Sequence, residues 1–175
     1  MRAFFAVPLD DALRPGLAAV QEDLRAAGAE VSWVRPESLH LTLKFLGEVP
    51  DQARFDLPRF AEFELELADV GEFDGRVVWA GCRGDVGPLR EVASALEEAG
   101  ESVGVPREKR RFSPHVTIGR IRSRRQLSAL REKMKRWQGH VFGPWPVRRV
   151  VLFRSETSPR GSVYKVVAEY PCNDS

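Results

Sequence analysis

The chain contains the pattern His, apolar, Thr, apolar twice, and this repeat constrains the fold more than any other feature. The pattern stands at residues 40–43 and again at residues 115–118. Successive side chains of a β-strand point to opposite faces, so the alternation predicts two half-buried strands. Because the chain has only three histidines, two of them in matching positions predict one site built from two related strands.

In each predicted strand the histidine and the threonine share one face. His40 therefore lies beside Thr42, and His115 lies beside Thr117. The apolar residues of the same strands face the opposite way, toward a core. The repeat thus predicts two titratable imidazoles and two hydroxyls around one site.

The composition of the 175 residues is typical of a globular protein. Hydrophobic residues make up 43% and charged residues 30%, which excludes a disordered chain. No apolar run reaches the roughly 20 residues that a membrane-spanning helix needs. Pro8 also ends the apolar N-terminal run before it reaches the length of a signal-peptide core. We therefore expect one domain over residues 1–175, no membrane association and a cytoplasmic location.

Charge is distributed unevenly along the chain. Residues 1–100 hold 10 basic and 19 acidic side chains, a net charge of −9, whereas residues 101–175 hold 17 and 6, a net charge of +11. The basic runs flank the second His-x-Thr pattern. This asymmetry indicates a polyanionic partner, although basic runs more often form solvated faces than binding sites.

Hydrophobic periodicity outlines the helices. The pattern predicts one helix after Asp10, a second over residues 87–99 and a third over residues 124–137, with a weakly helical stretch at residues 51–61. The pattern predicts about eight strands, which follow one another both directly and through helices. That order favours an α+β architecture, with antiparallel-rich sheets covered by helices. Each half of the chain contributes one motif strand, and an approximate two-fold relation places both along a central cleft.

Other residue patterns predict the positions of the strands and of one loop. Residues 63–67 alternate cleanly and are typical of an edge strand, whereas Pro144 and Pro146 predict a loop. The predicted strands are residues 2–7, 31–34, 39–46, 63–67, 77–80, 147–153 and 163–170, together with the second His-x-Thr stretch.

The sequence lacks the residue patterns that mark several common kinds of catalytic and metal site. Cys82 and Cys172 have no metal-ligand spacing and are predicted to be free thiols. There is no GxSxG nucleophile elbow, no Walker loop and no dinucleotide-binding glycine pattern. Metal binding by the two histidines stays open, but a third ligand must then come from elsewhere in the chain.

Paired histidines with neighbouring hydroxyls suit metal-free displacement at phosphorus. The unperturbed imidazole pKa is about 6.5, so one ring can be neutral and the other protonated near physiological pH. The neutral ring accepts a proton from water, and the protonated ring donates one to the leaving oxygen. Thr42 and Thr117 can donate to the phosphate oxygens, and Arg120 can reach them if the strand kinks at Gly119. A purely structural role for the histidines is the alternative.

The residues around both motifs resemble a known family. Residues 38–47 and 112–120 are similar to the paired signatures of the two-histidine phosphoesterases and, more narrowly, of the RNA 2′,3′-cyclic phosphodiesterases, also called 2′-5′ RNA ligases. The resemblance extends from the strand at residues 2–7 to residues 163–166, which is essentially the whole chain. It implies a bilobal fold with the two motifs facing each other across a cleft.

The resemblance also implies an activity and a role for each residue. The implied reaction is hydrolysis of an RNA 2′,3′-cyclic phosphate end to a 2′-phosphomonoester, without a metal or other cofactor, with reversible 2′-5′ RNA ligation as a second reaction. His115 is then the base for water and His40 the acid for O3′. Arg120 matches the family's phosphate-contacting arginine. Phe45 matches an aromatic residue that stacks on the terminal base, with a buried core phenylalanine as the alternative.

Two alternative functions stay open. The same site could act on 2′-5′ linkages or small cyclic nucleotides, or the basic half of the chain could serve as a non-catalytic RNA-binding module. The expected partner is an RNA with a 2′,3′-cyclic phosphate end, and no obligate protein partner is evident. The segment between Gly47 and Phe63 is short and poorly helical for the family, which leaves the preferred substrate length open.

Overall fold

The fold is built on one curled antiparallel sheet, which a computed structural model describes within residues 1–173. None of the helices in that range is long and apolar enough to cross a membrane. The strands are β1 (Arg2–Pro8), β2 (Val31–Trp33), β3 (His40–Glu48), β4 (Phe63–Phe73), β5 (Val77–Gly84), β6 (His115–Ile121), β7 (Val141–Val147), β8 (Arg149–Ser158) and β9 (Gly161–Pro171). The α-helices are α1 (Arg14–Arg25), α2 (Val86–Ser102) and α3 (Leu127–Met134).

The predicted α+β class is confirmed, and the two expected sheets are two halves of this one sheet. The strand order is β7-β4-β5-β6-β3-β1-β8-β9, with β2 also paired to β6. We call β3, β1, β8 and β9 the first half-sheet, and β6, β5, β4 and β7 with β2 the second half-sheet. They join where β3 and β6 pair antiparallel at Leu41 and Val116.

Each half-sheet is covered by a helix that follows a strand of the other half-sheet. Helix α1 follows β1 of the first half-sheet but packs against β6 and α3 of the second. Helix α2 follows β5 of the second half-sheet but packs against β3 of the first. This reciprocal crossing gives the approximate two-fold relation that the repeated motif predicts.

The hydrophobic core lies between the sheet and the helices. Leu41, Leu43, Val116 and Ile118, the apolar residues of the two motifs, are all buried in it. Burying one such side chain stabilises the fold by about 1.5–3 kcal/mol. Because alternate residues face opposite ways, this burial directs the motif histidines and threonines to the other side of the sheet, here called the cleft face.

A buried ion pair connects this core to the basic loop, defined as residues 105–114. Lys44 Nζ donates to the Glu97 carboxylate of α2 at 2.9 Å and to the Pro106 carbonyl at 2.9 Å. The same carboxylate accepts a hydrogen bond from the Glu108 amide at 3.1 Å. The basic loop is therefore held against both β3 and α2.

The structure departs from four local predictions, and two of these departures share a cause. Pro144 and Pro146 lie in β7, not in a loop, because β7 is an edge strand, where a missing N–H is tolerated. Since β7 pairs with β4, residues 63–67 lie inside the sheet and not at its edge. Residues 51–61 form no helix. The helix expected over residues 124–137 is also shorter, because α3 covers only Leu127–Met134 before a 3-10 turn.

Candidate active site

The four predicted motif side chains lie together on the cleft face. Since Leu41 pairs with Val116, the antiparallel register places Thr117 across from His40, and His115 across from Thr42. The two histidines are then diagonal neighbours, and such neighbours lie about 7–8 Å apart in a regular ladder. A single phosphate group can bridge that distance.

The two imidazoles are oriented by matching hydrogen bonds. Nδ1 of His40 lies 2.7 Å from the Ser38 carbonyl oxygen, and Nδ1 of His115 lies 2.7 Å from the Ser113 carbonyl oxygen. A carbonyl oxygen can only accept, so Nδ1 donates in both cases and Nε2 is left for proton transfer. On the cleft face, Nε2 of His40 lies 3.1 Å from Thr42 Oγ1.

A β-bulge in β6 turns Arg120 toward the cleft. Two consecutive residues of β5 pair with Gly119 and Thr117, so Ile118 is an extra residue in β6. Residues three apart face opposite ways in a regular strand, but a bulge between them restores a common face. The kink predicted near Gly119 is therefore present, and Arg120 shares the cleft face with Thr117.

A second bulge stands at the same offset in β3 and turns Phe45 to the cleft face. Two consecutive residues of β1 pair with Lys44 and Thr42, which makes Leu43 the extra residue. Leu43 follows His40 by three positions, as the bulged residue of β6 follows its own histidine. Phe45 is 62% exposed, so the alternative of a buried core phenylalanine is wrong.

Gln21 of α1 holds the bulge of β6 in place. Its side chain is 3% exposed, and Nε2 donates to the Ile118 carbonyl at 2.9 Å and to the Val34 carbonyl at 2.7 Å. The sequence around Gln21 does not predict this role, because Gln21 and Ile118 come into contact only when α1 packs on the second half-sheet.

We expect Gln21→Leu to lower the free energy of unfolding by about 1–3 kcal/mol, because a buried hydrogen-bonding group loses its partner. The catalytic activity should also fall, because the bulge that orients Arg120 is no longer held by Gln21. Urea denaturation measures the first effect, and Gln52→Leu, at an exposed position, is the control. An unchanged unfolding midpoint would show that Gln21 does not support the bulge.

The surroundings of His40 make it a weaker base than a free imidazole. Burial lowers the pKa of His40, the hydrogen bond to the Ser38 carbonyl opposes this shift, and the positive charge of Arg120 lowers the pKa further. His40 is therefore mainly neutral at neutral pH while the cleft holds no anion. A bound phosphate would offset the charge of Arg120 and favour protonation of His40.

Aromatic rings border both histidines, and these neighbours were missed by sequence reasoning. Phe4 of β1 lies 5.0 Å from the His40 ring between centroids, and Tyr164 of β9 meets the same ring edge-on at 5.3 Å. Phe73 of β4 meets the His115 ring edge-on at 5.1 Å. All three come from strands distant in sequence from the motifs, so no local signal could have identified them.

The two cysteines are free thiols, as predicted. Burial raises the pKa of the Cys82 thiol to about 12, so it stays protonated and unreactive. Cys172 lines a cavity of about 740 Å³ on the helical side of the sheet, between α2 and the end of β9. Within residues 1–173, no three His, Cys, Asp or Glu side chains are grouped as metal ligands.

Paired His-x-Thr strands on one face of a curled antiparallel sheet define a phosphoesterase type of site, and comparison with known proteins agrees. The model of the 2′-5′ RNA ligase superfamily matches residues 9–159. A Methanothermobacter thermautotrophicus protein named RNA 2′,3′-cyclic phosphodiesterase is 34% identical, covering 94% of this chain and 95% of the relative. An Aeropyrum pernix protein of the same name is also 34% identical, covering 87% and 93%. The chain belongs to the 2′-5′ RNA ligase superfamily.

Solved structures show the same architecture. A Thermus thermophilus protein with 31% sequence identity has a TM-score of 0.76, covering 98% of this chain and 97% of its own. Escherichia coli LigT, crystallised with 3′-AMP, has a TM-score of 0.77 at 24% identity, covering 99% and 98%. The family resemblance predicted from the two motifs is confirmed.

Proposed function

We propose that this protein is a metal-independent RNA 2′,3′-cyclic phosphodiesterase that produces a 2′-phosphomonoester, with residues 1–175 acting as one bilobal unit. The observation that carries the proposal is the pair of imidazoles on one cleft face, each with Nδ1 bonded to a backbone carbonyl. That arrangement supplies one acid and one base across a phosphate. The names of the relatives supply the substrate class.

In the proposed mechanism, water attacks phosphorus opposite O3′. Nε2 of neutral His115 accepts a proton from the water, and Nε2 of protonated His40 donates a proton to O3′ as the P–O3′ bond breaks. The phosphate stays on O2′. Thr42 and Thr117 donate hydrogen bonds to the non-bridging oxygens, and Arg120 offsets the charge that develops on them.

In this mechanism, binding of the substrate favours protonation of His40, the acid. The pKa of His40 is lowered by burial and by Arg120 in the empty site. An anionic phosphate placed between Arg120 and His40 reverses the electrostatic part of that shift. The cyclic phosphate therefore favours the protonated form of His40, which the mechanism uses.

The basic loop supports an RNA partner beyond the terminal nucleotide. Lys109, Arg110 and Arg111 are exposed and directly precede the second motif. The Arg90 guanidinium donates to the Phe112 carbonyl at 2.9 Å and anchors the end of the loop. Cations in this position attract the phosphates of the RNA strand, and binding should weaken as salt is raised.

An RNA ending in a 2′,3′-cyclic phosphate, incubated with the protein and excess chelator, is expected to yield a 2′-phosphomonoester at the same rate as without chelator. The reason is that imidazoles, hydroxyls and Arg120 supply every group that the mechanism uses. Phosphorus NMR identifies the isomer. A 3′-phosphomonoester, or a rate that chelator abolishes and added metal restores, would contradict the proposal.

A further inference from the structure

Each motif strand is preceded by a short segment whose backbone carbonyl orients the motif imidazole. The carbonyls of Ser38 and Ser113, each two residues before its histidine, accept the Nδ1 hydrogen bonds at 2.7 Å. The ring nitrogen that carries the proton is set by the partner of the other nitrogen. The groups that hold these two segments in place therefore control where the imidazole protons lie.

Arg14, the first residue of α1, holds the segment before His40. Its guanidinium donates through Nη1 to the Pro36 carbonyl and through Nη2, at 3.1 Å, to the Leu9 carbonyl just after β1. Pro36 is the first residue of a 3-10 turn that ends at Ser38. The turn is thus fixed to the neighbouring chain before it presents the Ser38 carbonyl to the imidazole.

Arg90, near the start of α2, holds the segment before His115 in a similar way. Its guanidinium donates to the Phe112 carbonyl at 2.9 Å, and Ser113 is the next residue. Pro114 then disfavours a helical conformation at Ser113, because the proline ring clashes with a helical residue before it. The Ser113 carbonyl is therefore held from both sides.

Arg14 and Arg90 occupy matching places in the approximate two-fold relation of the fold. Each lies within the first five residues of a helix that follows a strand of its own half-sheet. The helix packs on the other half-sheet, but its arginine contacts the segment that leads into the motif strand of its own half-sheet. Both arginines are half-buried, and a charged donor makes a stronger hydrogen bond than a neutral one. A contact that recurs in both halves indicates a shared task.

We propose that Arg14 and Arg90 are paired positioning residues, each of which fixes the Nδ1–H form and the ring orientation of the histidine in its own half-sheet. The proposal rests on the proposed function, in which Nε2 of both rings faces the phosphate. Neutral His115 can accept a proton at Nε2 only if its own proton is on Nδ1. His40 can donate from Nε2 only if the same ring edge faces O3′. Each arginine acts through a backbone carbonyl and needs no contact with the substrate.

Nitrogen NMR of the histidine side chains tests the proposal without substrate. At a pH where both motif imidazoles are neutral, the wild-type protein should carry both protons on Nδ1. Arg14→Met should convert His40 to a mixture of Nδ1–H and Nε2–H forms and leave His115 unchanged. Arg90→Met should have the reverse effect, so each variant is a control for the other.

Arg148→Met is the matched control for loss of charge. Arg148 is exposed and pairs with Glu62 at 3.0 Å, away from both segments. This variant should keep the wild-type proton positions in both imidazoles and near wild-type activity.

Hydrolysis of 2′,3′-cyclic AMP gives a second readout. Arg14→Met and Arg90→Met should each lower kcat about 10–100-fold, as a small misplacement of a catalytic group does, and change KM less than about twofold. The hydrogen bond to the Ser38 carbonyl raises the pKa of His40. Arg14→Met should therefore lower that pKa and move the limb of the kcat/KM profile that His40 governs to lower pH. Arg90→Met should leave this limb in place.

An Nε2–H form of either motif histidine in the wild-type protein would overturn the proposal, and this measurement needs no variant. A variant whose own histidine keeps the wild-type Nδ1–H form would also overturn it. A change in both rings in each variant would show a general loss of structure in place of two separate positioning roles. Protons on Nδ1 in both rings without hydrolysis of 2′,3′-cyclic AMP would instead contradict the proposed function.

Discussion

Replacing either motif histidine with alanine is expected to lower kcat/KM for an RNA 2′,3′-cyclic phosphate end by about 10²–10⁴-fold. In His40→Ala the leaving O3′ has no proton donor, and in His115→Ala the attacking water has no acceptor. Because the two act in one displacement, the double variant should be only slightly slower than the worse single variant. Single-turnover kinetics, with enzyme in excess over RNA but below saturation, measure kcat/KM.

The third histidine of the chain provides a matched control. His140 is exposed and packs against Trp137 and Phe142, with ring centroids 5.0 and 4.7 Å away. His140→Ala should therefore keep near wild-type activity. If either motif variant were as active as His140→Ala, paired acid–base catalysis would be ruled out. RNA binding without turnover, unaltered by either motif substitution, would instead favour the RNA-binding module.

Arg120→Met is expected to lower kcat by about 10²–10³-fold, the usual effect of removing one donor to a developing oxyanion. The methionine keeps most of the side-chain volume but removes the cation from the cleft face. Arg136→Met removes the same charge from the far side of the fold, where Arg136 pairs with Asp23 at 3.0 Å, and should change the rate little. A similar loss in both variants would indicate only a general effect of net charge.

The same variant tests the effect of Arg120 on His40. We expect a bell-shaped pH profile of kcat/KM, with one limb for each imidazole. Arg120 helps to lower the pKa of His40, so Arg120→Met should raise that pKa and move the limb that His40 governs to higher pH. A profile in which neither limb moves would show that Arg120 does not lower the pKa of His40.

The motif side chains were predictable because their placement depends on local geometry. Alternation with period two puts His40 beside Thr42 wherever the neighbouring leucines are buried. The same holds for His115 and Thr117. The α+β class followed from the spacing of strands and helices in the same way.

Phe45 and Arg120 show where this local reasoning stops. Each lies three residues beyond its motif threonine, an odd spacing that places it on the wrong face of a regular strand. A bulge in each motif strand returns it to the cleft face. The bulge of β6 depends on Gln21, which lies in α1, 97 residues before Ile118 in the sequence. Family resemblance pointed to both residues, and a kink at Gly119 was a further reason to expect Arg120 at the site, but the period of a regular strand places both on the opposite face.

Burial and the two-residue period of a strand act within a few neighbouring residues, so the sequence is enough to predict which side chains each motif strand presents. The folded structure was needed to show that the strands meet at Leu41 and Val116, that bulges add Phe45 and Arg120, and that aromatic rings border both imidazoles. These outcomes depend on pairing and packing between residues far apart in the chain. The lowered pKa of His40 also depends on the folded structure, because it arises from burial and from the charge of Arg120, which lies in the second half-sheet.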